Sequence, residues 1–87
     1  MSDIAYTTHA KDKFALLARY GFEVTPDQVE DTLSNPERII PQTGGRFIAQ
    51  KSITQQHVLR VVYREENKKR MVITFYPGRK ERYETKL

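Results

Sequence analysis

Two neighbouring strand-like runs near the end of the chain constrain the fold more than any other feature. Residues 57–64 read HVLRVVYR and residues 70–76 read RMVITFY, and both are rich in the β-branched and aromatic residues that favour strands. The polar segment 65–69 that joins them is too short for a crossover helix, so the two strands must be antiparallel. We therefore predict a hairpin around which the other elements are arranged.

Side chains alternate between the two faces of a strand, so this hairpin should have one apolar face and one mixed face. The predicted apolar face contains Leu59, Val61, Tyr63, Met71, Ile73 and Phe75. The opposite face mixes valine with arginine, threonine and Tyr76. We expect the apolar face to pack against helices and the mixed face to be open or only partly covered.

Two helices are predicted before the sheet. The first begins after Thr7 or Thr8, either of which can cap it, and ends at Gly21, where a left-handed C-terminal cap is expected. The second has Thr25 as its N-cap and Pro26 at its first helical position, and the glutamine that follows two residues later is placed for a capping box.

Two further strands are predicted at residues 38–40 and 46–51, before the hairpin. Short connections between successive strands imply an antiparallel meander. The predicted architecture is an α+β fold in which two N-terminal helices pack on one face of a four-stranded antiparallel sheet. With 87 residues, the chain is expected to form a single domain, 1–87.

Charge is distributed unevenly along the chain, with a net −3 in residues 1–44 and a net +7 in residues 45–87. A basic half favours a polyanion such as RNA as partner, and the alternative is a solvated charged surface. The chain has no cysteine, its two histidines lack metal-ligand spacing, and no apolar run approaches the roughly 20 residues that span a bilayer. We expect a cytoplasmic protein with no metal, no cofactor and no membrane partner.

Three cations follow a predicted Pro-Gly turn at the exit of the last strand, namely Arg79, Lys80 and Arg82. Cations held close together repel one another unless an anion is bound, and phosphate is the natural candidate. The alternative is a charged tail in which Glu81 and Glu84 act as counter-ions.

Arginines on the strands and tyrosines beside the cluster extend this basic surface. The predicted RNA-binding residues are Arg46, Arg64, Lys80, Arg82 and Tyr83. Tyr76 and Tyr83 flank the cluster, and Tyr76 can stack on a base or donate a proton. The alternative for either residue is a rim tyrosine that covers apolar surface and keeps its hydroxyl in water.

His9, at the start of the first helix, is a candidate general base. A helix N-terminus disfavours a positive charge, so we expect a neutral histidine that can accept a proton. RNA cleavage through the neighbouring 2′-hydroxyl needs a base, an acid and cations that stabilise the phosphorane. The predicted catalytic residues are His9, Arg60, Tyr76 and Arg79. The alternative for His9 is a solvated or capping residue, and His57 is expected to be structural.

The order of several short motifs resembles a known family. The motifs are HA at 9–10, RYGF at 19–22, VTPDQV at 24–29, NPE at 35–37, LRVVY at 59–63 and TFYPGRK at 74–80. They are similar to those of a bacterial domain family of about this length, which looks like a relative of the BrnT and RelE toxins of type II toxin–antitoxin systems. The resemblance covers nearly the whole chain and implies a barnase–colicin–RelE-like fold.

The resemblance also implies a function. Such toxins cleave mRNA without a metal ion, on the ribosome or free, and an antitoxin encoded alongside often neutralises them. Arg79 matches the arginine after the last strand in BrnT-like proteins, and Arg60 matches a cation on the central strand. We therefore predict a toxin-like RNA-binding protein that acts as a metal-independent endoribonuclease on mRNA. The alternative is a non-catalytic nucleic-acid-binding or protein-interaction domain of the same fold.

Overall fold

A computed structural model describes residues 3–83 and arranges them as a five-stranded mixed sheet with three helices. In chain order the elements are β1 (Asp3–Tyr6), α1 (Thr8–Arg19), α2 (Pro26–Ser34), β2 (Arg38–Pro41), β3 (Arg46–Ser52), β4 (His57–Glu66), β5 (Lys69–Arg79) and α3 (Lys80–Tyr83). The strand order across the sheet is β1-β5-β4-β3-β2. The predicted α+β class is confirmed. Within residues 3–83 no helix is long and apolar enough to cross a membrane.

The predicted four-stranded antiparallel sheet is wrong in one respect, because β1 adds a fifth strand. β1 pairs in parallel with the start of β5, with Ile4 opposite Arg70 and Tyr6 opposite Val72. An unpaired edge on β5 would expose a row of backbone donors and acceptors, and β1 covers part of it. The other strand pairs are antiparallel, as predicted.

The predicted N-caps of both long helices and the predicted C-terminal cap of the first are confirmed. Thr7 is the N-cap of α1, and its hydroxyl accepts a hydrogen bond from the backbone N–H three residues later. Thr25 and Gln28 form the expected capping box at the start of α2, with Pro26 in the first turn. Gly21 follows α1 with a φ of +82°, the left-handed conformation that glycine adopts without strain.

The core lies between the sheet and the two long helices. Its buried members are Ala10, Val24, Val29, Leu33, Ala49, Leu59, Val61, Tyr63, Val72 and Phe75. β4 is the third strand of the prediction, and it contributes Leu59, Val61 and Tyr63 to the core. These are the residues that alternation placed on its apolar face, so that assignment is correct. The face assignment of β5 changes partway along the strand.

A β-bulge interrupts the alternation of β5. Val62 lies opposite Thr74, whereas the next residue, Tyr63, lies opposite Val72, so Ile73 is an extra residue without a partner. Val72 is therefore on the core side and is completely buried, although strict alternation places it on the mixed face. A period of two predicts faces correctly only on one side of such an insertion.

Two more residues change sides because of the bulge. Met71 lies opposite Arg64, on the face away from the helices, which corrects its predicted place in the core. Arg70 lies on the helix side, where its Nη1 donates a 2.6 Å hydrogen bond to the carbonyl of Leu33 at the end of α2. Burial raises the pKa of Tyr63, and the adjacent Arg70 guanidinium opposes that rise.

The predicted turn at Pro77-Gly78 is also wrong, because β5 continues through both residues to Arg79. β1 pairs only with residues 69–72 of β5, so the strand around Pro77 is an edge. A proline is tolerated at an edge because its missing N–H is not required by a neighbouring strand.

The turn between β4 and β5 provides a stability prediction. Asn67 and Lys68 have backbone φ values of 51° and 64°. A residue that carries a Cβ adopts this left-handed conformation only at a cost in conformational free energy. Lys68→Gly is expected to raise the free energy of unfolding by about 0.5–1 kcal/mol, measured by urea denaturation. Lys69→Gly, one residue later in regular strand, is the matched control and should lower it by a similar amount. Equal effects of the two changes would contradict a strained turn.

Candidate nucleic-acid interface

The candidate site lies on the face of the sheet that points away from α1 and α2, which we call the distal face. On the three central strands it is formed by Arg46, Ile48, Gln50, Val58, Arg60, Val62, Arg64, Met71, Thr74, Tyr76 and Gly78. Arg38 adds a cation from β2, since it lies opposite Gln50. The middle of this face is largely buried, whereas Arg38 and Arg46 at its margins are exposed and Arg64 is partly exposed.

Arg60 is at the centre of the distal face and is only 9% exposed. The strand register places it directly between Gln50 on β3 and Tyr76 on β5. Its Nη1 donates a 2.6 Å hydrogen bond to Gln50 Oε1, and its Nε donates a 3.1 Å bond to the Tyr76 hydroxyl. No carboxylate among residues 3–83 forms an ion pair with it. The guanidinium is thus held in place by neutral groups.

Tyr83 covers the guanidinium of Arg60. The Cζ atom of Arg60 lies 4.1 Å from the centre of the Tyr83 ring, a cation–π contact. The ring can approach because residue 78 is a glycine, at which a Cβ atom would overlap the Tyr83 ring. Arg38 also holds α3 in place, donating from Nη1 to the Tyr83 carbonyl at 3.2 Å.

His9 reaches the distal face around the edge of β5. Its Nε2 lies 3.3 Å from the hydroxyl of Thr74, which is two residues from Tyr76 on the same face. Lys13, one turn later in α1, donates to the same hydroxyl at 3.4 Å and lies 6.0 Å from the centre of the Tyr76 ring. An imidazole, an ammonium, a phenol and a guanidinium therefore occupy one continuous surface.

The position of His9 follows from where β1 ends. β1 pairs with β5 only as far as Val72, and the hydroxyl of Thr7 then donates to the Ile73 carbonyl at 3.1 Å. α1 begins at this point beside the unpaired edge of β5. Its first turn is consequently next to Thr74.

Two further arginines lie at the hairpin end of the distal face. Arg46 and Arg64 are directly opposite each other on β3 and β4. Arg64 donates from Nε to Glu66 Oε2 at 2.8 Å, and both side chains of this pair are well exposed. Like charges on directly opposite residues destabilise a sheet, and a bound anion removes that penalty.

Arg79 is not brought together with the other predicted catalytic residues. It lies opposite His57, and the His57 ring contacts Phe22 at 5.1 Å on the helix side of the sheet. The Arg79 side chain is 73% exposed and lies 3.8 Å from Glu81, one of the two predicted counter-ions. The other, Glu84, lies outside the described residues.

The remaining predicted RNA-binding residues lie on α3. Lys80 is partly buried and donates its backbone N–H to the Gln56 carbonyl at 2.9 Å, while Arg82 is exposed. Lys51 is the other cation of β3 and lies on the helix side. It pairs with Asp31 there, and the hydrogen bonds from Lys51 and Asn35 hold the pKa of Asp31 below its usual value.

Sequence reasoning missed four polar residues of the site, Arg38, Gln50, Thr74 and Lys13. Gln50 alternates with Ile48 on a predicted strand, which indicates its face, but its burial depends on its neighbours across the sheet. Lys13 follows His9 by four residues and so shares its face of the helix. That spacing was the available signal for a second cation beside the histidine.

Comparison of the chain with models of protein families, with curated proteins and with solved structures finds no match. The chemistry of the distal face is therefore the basis on which a function can be inferred.

Proposed function

We propose that this protein is a toxin-like, RNA-binding domain of the RelE and BrnT type that cleaves mRNA without a metal ion. The observation that supports this most is the placement of two contacting pairs side by side: His9 contacts Thr74, Arg60 contacts Tyr76, and Lys13 lies between them. It brings a proton acceptor, a proton donor and a cation to one surface. The reaction needs these three kinds of group.

In this proposal His9 removes the proton from the 2′-hydroxyl that attacks the neighbouring phosphate. Tyr76 donates a proton to the leaving 5′-oxygen, and Arg60 and Lys13 stabilise the charge of the phosphorane. The bond between phosphorus and the 5′-oxygen breaks, which leaves a 2′,3′-cyclic phosphate. Arg79 has no role at the reacting phosphate, because its strand position is on the helix side.

The outer cations would bind the phosphates on either side of the reacting one. Arg46 and Arg64 lie along the strands from Arg60, and Lys80 and Arg82 follow β5. Guanidinium groups bind phosphate through two parallel hydrogen bonds, so this arrangement suits a single strand laid across the sheet. A cognate antitoxin is the protein partner that such a toxin requires.

A second candidate is an RNA-binding domain that uses the same face without cleaving. The observation that favours it is the coverage of Arg60 by Tyr83, together with the engagement of the Tyr76 hydroxyl by Arg60. In this state neither group is free to act on a substrate.

The two candidates are distinguished by incubating the purified protein with end-labelled single-stranded RNA and a chelator, with and without ribosomes. Cleavage should produce fragments that end in a 2′,3′-cyclic phosphate, and His9→Ala should lower the rate by about 10²–10⁴-fold. Lys11→Ala is the matched control, since this exposed residue lies on the same helix turn and should change the rate little. Salt-dependent binding without products would support the second candidate, and the absence of both would reject the two together.

A further inference from the structure

The surroundings of Arg60 leave most of its hydrogen-bonding capacity unused. A guanidinium carries five N–H donors, and the bonds to Gln50 and Tyr76 use two of them among residues 3–83. A buried cation is costly unless an anion pairs with it, because neutral acceptors do not balance its charge. The site therefore has a fixed, largely desolvated positive charge, and its unused donors keep access to solvent, since within the described part of the chain no Arg60 nitrogen is both buried and without a partner.

Gln50 is the residue that keeps this charge unbalanced. Its side chain is 1% exposed, and its amide oxygen accepts from Arg60 at 2.6 Å. A glutamate of the same shape at this position would pair with the guanidinium and neutralise it. The neutral amide instead orients Arg60 without competing with an incoming anion.

Tyr83 closes the site from the solvent side. The centre of its ring lies 4.1 Å from Cζ of Arg60, so the ring occupies the place where a nucleobase would stack. It belongs to α3, a helix of only four residues, and Gly78 provides the space that its ring fills. Displacing this one side chain uncovers Arg60 without moving a strand.

We infer that Gln50, Arg60 and Tyr76 form a preorganised phosphodiester-binding site and that Tyr83 is its displaceable cap. The ligand class is single-stranded RNA, in which a base replaces the Tyr83 ring on the guanidinium while the adjacent phosphate takes the free donors. Duplex RNA does not satisfy the site because its bases are already stacked. This inference deepens the proposed function and rests on it for the identity of the ligand.

Gly78→Ala tests the cap without altering Arg60 or its hydrogen-bonding partners. The new methyl group excludes the Tyr83 ring, and the backbone of Gly78 is not in the left-handed region, so alanine fits the strand. The apparent affinity for inorganic phosphate, followed through the Arg60 Nε–Hε resonance, is expected to rise about tenfold. This is the shift that loss of one cation–π contact to a desolvated guanidinium produces. Tyr83→Ala should have the same effect.

Gln50→Glu tests the charge of the site. The new carboxylate should pair with Arg60 and lower the phosphate affinity at least about tenfold, also when combined with Gly78→Ala. Gln55→Glu is the matched control, because it makes the same change of charge at an exposed loop position and should alter the affinity less than about twofold. Circular dichroism establishes that each variant is folded.

The same variants, measured with labelled single-stranded RNA, separate this inference from the proposed function. Unchanged phosphate affinity in both Gly78→Ala and Tyr83→Ala would reject the cap, and phosphate affinity that Gln50→Glu does not alter would reject the site. RNA binding that persists in either case would leave the proposed function standing on the outer arginines. A gain in phosphate affinity in a protein that binds no RNA would retain the phosphate site and its cap, and would reject both the RNA ligand and the proposed function.

Discussion

Replacing Arg60 with methionine is expected to lower the rate of RNA cleavage by about 10²–10³-fold, the usual effect of losing one electrostatic donor in the transition state. The free energy of unfolding should change little, because a gain and a loss of about 1–3 kcal/mol each oppose one another. A buried charge without a carboxylate partner is removed, while Gln50 and Tyr76 each lose a hydrogen bond. Single-turnover cleavage and thermal denaturation measure the two quantities on the same sample.

Arg79→Ala is the control for this experiment. It removes the same type of charge from the helix side of the sheet, where the side chain is exposed, and should change the rate less than about threefold. Arg60→Lys retains the charge but loses the planar fork, so it should recover only part of the lost rate. Equal losses in Arg60→Met and Arg79→Ala would show that the reacting phosphate is not on the distal face.

Replacing Phe75 with alanine is expected to lower the free energy of unfolding by about 3–5 kcal/mol, which is the cost of deleting a fully buried aromatic ring. Phe75 is completely buried, and its ring lies 4.6 Å from that of Phe14 in the contact between β5 and α1. A domain of 87 residues is stable by roughly 4–13 kcal/mol in total, so this one change removes a large share. Equilibrium denaturation in urea provides the measurement.

Tyr20→Ala serves as the aromatic control for Phe75→Ala. Tyr20 is the C-cap residue of α1 and is 80% exposed, so its loss should alter the free energy of unfolding by no more than about 0.5 kcal/mol. If Phe75→Ala cost less than about 1.5 kcal/mol, the α1–β5 contact would not be part of the core.

The parts of the fold that could be predicted from sequence depend on local chemistry. Helix caps are formed by residues three positions apart, so Thr25 and Gln28 could be identified without knowing the rest of the chain. The β4–β5 hairpin follows from alternation and a short connection. Its register also explains why Arg60 and Tyr76, both predicted site residues, are neighbours.

The parts that could not be predicted depend on distant segments. β1 has only four residues, and its pairing requires the edge of β5, some 66 residues away. The bulge at Ile73 adds one residue to one strand, and nothing in the local pattern distinguishes it from regular alternation. Because the predicted exit of the last strand was placed at Pro77, Arg79 was expected beside the site, whereas β5 continues and assigns it to the other face.

The parallel pairing of β1 with β5 has a consequence for the order in which the protein folds. The β3–β4–β5 meander joins segments that are close in sequence, so it can form early. The pairing of β1 with β5 closes a much longer loop, and the entropic cost of that closure delays it. Arg60, Gln50 and Tyr76 all belong to the meander, but His9 reaches the site only after β1 has docked. If the proposed function holds, a folding chain would therefore form its phosphate site before its general base is in place, and would bind a transcript before it could cut one.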